Sequence, residues 1–191
     1  MIRATCGVII EGVHDTGVFE ELIRRTVPSP SEVSVKEAGG KQRLMARLPR
    51  WLRMFEHWTA AGGAVDRAVV VRDANGEDPA AVEARMRARI KSLTYAFRHG
   101  VELHAIKQET ETWLLADPAA IEFVAQRAGA ITPPDPVESL NHAKEAFMDV
   151  LTDVGLLYAP ETCRQIAARM DIARLACCFR APERARRPRG R

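Results

Sequence analysis

The stretch "ATCGVIIEGVHDTGVFEELIRR" (residues 4–25) decides the fold. Its apolar run Gly7-Val8-Ile9-Ile10 reads as a buried strand that stops at Glu11-Gly12. The chain then passes Asp15 in a short loop and enters a helical pattern carrying Phe19, Leu22 and Ile23. A strand that passes within a few residues into a helix opens a βα unit. One carboxylate closes the strand and a second stands where the helix begins.

Three more runs extend this reading. "EVSVKEA" (32–38) alternates, "RAVVVRD" (67–73) is continuous, and "VELHAIKQE" (101–109) alternates in part. A continuous β-branched run such as Val69-Val70-Val71 suits a strand covered on both faces, as in a parallel sheet. Helical patterns lie between the runs, so the expected class is α/β, a mostly parallel sheet flanked by helices. The dipeptide Asp-Pro marks three helix starts, at Asp78-Pro79, Asp117-Pro118 and Asp135-Pro136. Aspartate caps free N–H groups there, and proline at the first helical position loses no hydrogen bond. Gly129 and Gly155 stand where the second and third of these helices should stop. The third carries Leu140, Ala143, Phe147, Val150, Leu151 and Val154 on one stripe. Segment 41–61 also reads helical, with Pro49 expected to kink or divide it. Leu44, Leu48, Trp51 and Phe55 form one stripe of it, and Arg43, Arg47 and Arg50 form a basic ridge beside them. The loop "ITPPDP" (131–136) separates an α/β core over 1–130 from a helical extension over 131–179 expected to pack on that core, and a basic flexible tail is expected over 180–191.

With 191 residues, 47% hydrophobic and 28% charged, the composition is that of an ordinary globular chain that buries roughly 70% of its unfolded surface. The net charge of +3 is uneven, because residues 180–191 hold six arginines against one glutamate and the remainder carries −2. That basic tail lacks apolar anchors. No apolar run reaches membrane-spanning length, and Met-Ile-Arg leads straight into the first strand without signal-peptide organisation. Cys6, Cys163, Cys177 and Cys178 form no C-x-x-C pair, and reduced structural thiols in a cytoplasmic protein are expected.

Several familiar sites are missing. "GGKQ" (39–42) lacks the rest of a phosphate-binding loop, and no G-x-G-x-x-G or G-x-S-x-G is present. Five histidines (14, 57, 99, 104, 142) include no i, i+4 pair, which argues against zinc, and His14 reads as a loop residue. What remains is acid at strand ends: Glu11, Asp73 within "RDANGED", and Glu109 and Glu111 within "KQETETWLLAD". Carboxyl ends of parallel strands share one edge. Several carboxylates there repel one another unless a divalent cation neutralises them, and Mg²⁺ or Mn²⁺ is the expected cofactor. Asp15 is open to two readings, a site acid or the cap of the helix it precedes. Trp113 reads as a core anchor that orients the acids around it.

"VIIEGVHD" followed by "VVVRDAN" resembles the Toprim layout of a strand-end glutamate and a downstream D-x-D, shared by OLD-type nucleases and small stand-alone relatives. "QETETWLLADP" is similar to a segment of a Toprim-clan bacterial family of unknown function, and the likeness extends over about residues 2–180. The resemblance implies a metal-dependent nuclease acting beside an ATPase subunit in phage defence. In it Glu11 is the acid or base, Glu11, Asp15, Asp73 and Asn75 are the expected metal ligands, and Glu111, the acid before the tryptophan, and Lys41 join Glu11 as expected catalytic residues. Asn75 stands where the second aspartate is expected, which removes one negative charge. Lys41 and the Arg43, Arg47 and Arg50 ridge are the expected contacts to phosphates of nucleic acid. The alternative is a non-catalytic Toprim-like subunit that binds a partner or nucleic acid, and a homo-oligomer is compatible with either. A phosphotransferase reading of "DANGE" is disfavoured, because Glu77 replaces the expected Thr or apolar residue.

Overall fold

In the computed structural model the described residues are 5–26, 32–60, 65–129, 131, 132, 137 and 140–173. Four strands form one all-parallel sheet: β1 (Thr5–Ile10), β2 (Glu32–Glu37), β3 (Val65–Asp73) and β4 (Val101–Ile106). Their spatial order is β2-β1-β3-β4. The register sets Val8 opposite Val35 and Val69, and Val70 opposite Leu103. Helices α1 (Asp15–Thr26), α2 (Lys41–Ala60) and α3 (Pro79–Ile90) connect the strands. Four more follow: α4 (Thr110–Leu115), α5 (Pro118–Ala125), α6 (Ala143–Asp153) and α7 (Pro160–Arg169). The α/β class expected from the sequence is the observed one, an all-parallel sheet flanked by helices, consistent with a Toprim-like layout.

Alternation along the strands divides the core between the two faces of the sheet. Ile9, Ala68, Val70 and Leu103 pack against Leu44, Leu48 and Phe55 of α2 and Val82 and Met86 of α3. Val8, Ile10, Val71 and Ile106 face the other way, with Phe19 of α1. A third cluster joins Val18 and Leu22 of α1 to Leu114, Leu115 and Ile121, and onward to Phe147, Leu151, Cys163 and Ile166 of α6 and α7. The C-terminal helices therefore share their core with α1, α4 and α5. Gly17 permits the closest part of that contact, since a Cβ there would lie 2.6 Å from Arg164 Cβ. Among the described residues no helix is long and apolar enough to cross a membrane. Cys6 and Cys163 are buried free thiols; Cys177, Cys178 and the basic tail lie outside the described residues.

Several expectations need correction. Pro49 does not divide α2, which runs unbroken from Lys41 to Ala60. The proline withholds an N–H from the Met45 carbonyl, but Arg89 of α3 replaces it, donating from Nε to Met45 O at 3.2 Å and from Nη2 to Ala46 O at 3.4 Å. Asp78 caps α3 as expected, accepting from Ala80 N at 3.1 Å. Asp117 makes no such bond to α5; its carboxylate accepts instead from Asp171 N at 2.7 Å, across to the end of α7. α5 stops at Ala125, before Gly129, because Gln126 adopts the left-handed conformation (φ 56°). The third Asp-Pro, 135–136, lies outside the described residues, and the helix assigned to it begins only at Ala143, so Leu140 precedes it. Gly155 does follow that helix with positive φ.

Candidate metal centre

Strand order changes direction between β1 and β3: the connection from β1 leads to one side, and the chain then crosses to the other. Clefts outside the carboxyl ends of parallel strands open at such a switch point. Glu11 follows β1 by one residue, Asp73 ends β3, and Glu109 and Glu111 follow β4 at the start of α4. All three strands point the same way, so these acids arrive at one edge. Together with Asp15 they line a cleft of about 270 Å³, joined by Gly39, Gly40 and Asn75. Gly40 takes φ 102° in the turn between β2 and α2 and donates its N–H to Glu11 O at 3.0 Å. That turn seats the start of α2 against the end of β1.

The charges are poorly accommodated. Burial pushes the Asp73 carboxyl far above the usual carboxylate range, and Asp15, Glu11, Glu111 and Glu109 push the same way. Although Asp73 keeps some exposed surface, its carboxyl end sits among these acids and accepts only a 3.4 Å bond from Thr110 Oγ1. Asp15 is raised to about 6 by burial and then by Glu111. Glu11 is also raised by burial, against which the charges of Arg72 and Lys41 favour its ionised form. Its Oε2 is buried without a hydrogen-bond partner. Arg72, the other buried charge at this end of β3, reaches Glu77 at 3.6 Å.

The two readings of Asp15 are both partly met. It is the first residue of α1, and its Oδ2 accepts from Gly12 N at 3.1 Å. It is also a buried wall of the cleft. Asn75 is an exposed turn residue (φ 50°) whose amide donates to Asp73 O at 3.4 Å. Lys41 opens α2 and is exposed. Arg43, Arg47 and Arg50 do not enter the acidic cleft; they line a second groove of about 490 Å³ that shares Gly39 with it. Trp113 is half-buried and packs edge-on against Phe19, 5.8 Å between centroids, one residue after the engaged Thr112.

Three cleft residues carried no functional reading in the sequence. Tyr158, ahead of α7, donates its hydroxyl to Glu111 Oε1. His14 stacks on the Tyr158 ring at 4.2 Å, and Lys144 Nζ lies 5.3 Å from the same ring centroid. Glu109 is diverted, since its Oε2 accepts from Lys144 N at 2.9 Å and caps the first turn of α6. Nothing local in "GLLYAPE" or "NHAKEA" announces these roles, because the cleft is only their neighbour in space.

A divalent cation fits this donor set: carboxylates outnumber cations, Asp73 is held away from ionisation, and one Glu11 oxygen is orphaned. As they stand, no three His, Cys, Asp or Glu side chains among the described residues are arranged to hold one ion. These side chains would have to rotate to hold a cation together. Searched against protein-family models, curated proteins and solved structures, the chain gives no match.

Proposed function

We propose that the chain is a Toprim-class phosphodiesterase that uses Mg²⁺ or Mn²⁺ to cleave nucleic acid. The observation that carries this reading is the gathering of Glu11, Asp15, Asp73 and Glu111 around one cleft at the sheet's switch point. Glu11, Asp73, Asp15 and the Asn75 amide oxygen would hold the cation, which supplies Lewis-acid stabilisation of charge on a phosphate ester. Glu111, fixed by the Tyr158 hydroxyl, stands ready to accept a proton from an attacking water. Glu11 shares that acid or base role, and Lys41 balances its charge. The free thiols suit a reducing compartment such as the cytoplasm, and a place beside an ATPase subunit in phage defence is drawn from the sequence resemblance alone. Glu11→Ala and Asp73→Ala should each lower Mg²⁺-dependent cleavage of DNA or RNA by ~100-fold or more, while the thermal transition stays within a few degrees of the parent. Undiminished cleavage by both variants would overturn the proposal.

A second reading, a binding subunit without catalysis, is favoured by one feature. Asn75 replaces an acid, and its amide folds back on the Asp73 carbonyl. Calorimetry with Mn²⁺ separates the two, because the binding subunit takes up no metal.

A further inference from the structure

We infer that the arginine groove beside the cleft is a track for consecutive backbone phosphates of a single nucleic-acid strand, with the acidic cleft at its end. This rests on the nuclease reading and adds the path of the substrate, a strand held at consecutive phosphates rather than a nucleotide or phosphosugar held at one. Arg43, Arg47 and Arg50 recur at helical spacing on one face of α2. Their guanidinium groups make no ion pair or hydrogen bond among the described residues, whereas Arg24, Arg53, Arg67 and Arg85 are each paired with a carboxylate. Lys36, at the end of β2, adds a fourth cation to the same groove, and Glu37 is its one acid. The buried Trp51 closes it with an apolar floor.

The groove is continuous with the cleft. Gly39 lines both, and a Cβ on it would stand 3.1 Å from Arg43 Nη1. Arg43 thus sits at the junction, and Arg47 and Arg50 lead away from it. From Arg43 to Arg50 the helix advances about 10 Å, a length that suits a run of phosphates and exceeds a single one. Acids at one end, and along the other cations unpaired among the described residues, fit a polyanion with one phosphate in the cleft and its neighbours in the groove. Each phosphate neutralised releases counterions, so affinity falls with salt by about 0.7 log units per contact for a single strand.

The test is fluorescence anisotropy of a labelled single-stranded oligonucleotide in EDTA, with Kd measured from about 50 to 200 mM salt. The three arginines predict a contribution near −2 to the slope of log K against log salt, made shallower by about 0.7 in each of Arg43→Ala, Arg47→Ala and Arg50→Ala. Arg→Lys variants should keep the slope. A triple alanine variant with the parent's slope and affinity overturns the inference. So does inorganic tripolyphosphate that competes as well as the oligonucleotide, which would make the groove a small-anion site. Mn²⁺ calorimetry on parent and triple variant keeps the two proposals apart. Metal uptake with an unchanged slope sinks the track and spares the cation site; a lost slope without metal uptake does the reverse.

Discussion

Asp15 carries its consequences at the scale of one side chain. Its carboxyl is buried beside Glu111, and its folded value of about 6 lies above the ordinary 3.8. The folded state therefore holds a proton that the unfolded chain releases. Stability from this group is present below about pH 4, is lost as pH rises through about 6, and is flat beyond. At about 1.4 kcal/mol per pH unit the loss is ~3 kcal/mol. Urea unfolding in EDTA between about pH 4 and 7 should show a steeper loss of stability in the parent than in Asp15→Asn, whose amide oxygen can still accept from Gly12 N and whose remaining slope comes from Glu11 and Asp73. Equal slopes in the two proteins would contradict the placement of Asp15. The acids of the cleft were legible in the sequence because each closes a strand or stands in the turn or helix start just after one, and parallel strands bring their ends together. Tyr158, Lys144 and His14 were not. Nothing in the neighbourhoods of Tyr158 and Lys144 points to the cleft, which they meet because the C-terminal helices fold back over α4, whereas His14 stands beside Asp15 and shows its part only through its stacking on Tyr158.

At the scale of elements, local signals read well where the partner is local. The strand patterns survive at almost their expected bounds, and Asp78 caps the helix that its proline begins. They misled where a distant residue supplies the partner. Pro49 reads as a break, yet Arg89 satisfies the carbonyl it strands. Asp117 reads as a cap, yet it serves the backbone of Asp171. The α1–α7 contact has the same long-range character, and Gly17 tests it. A methyl group there collides with Arg164 Cβ, close to the main chain where relief requires helix movement. Gly17→Ala should cost about 1–3 kcal/mol, seen in urea as a lower midpoint at unchanged m-value. A midpoint equal to the parent's would show that the helices are not packed at this distance.

For the whole molecule, the segments on the two sides of "ITPPDP" share one core. Val18, Leu22, Leu114 and Ile121, from the first 130 residues, share one cluster with Phe147, Leu151 and Ile166 from beyond it. A fragment ending at residue 130 should therefore lack a cooperative thermal transition, whereas the full chain shows one; calorimetry of both decides the matter. The join passes through the cleft itself. Glu109 stands in the cleft wall and also holds the main-chain N–H of Lys144 at the head of α6. Any agent that swings α6 must change how Glu109 faces the cleft, and any occupant that draws on Glu109 must loosen α6. By thermodynamic reciprocity the two effects are equal in size. The C-terminal helices are thus tied to the cleft wall through a main-chain hydrogen bond to one of its acids.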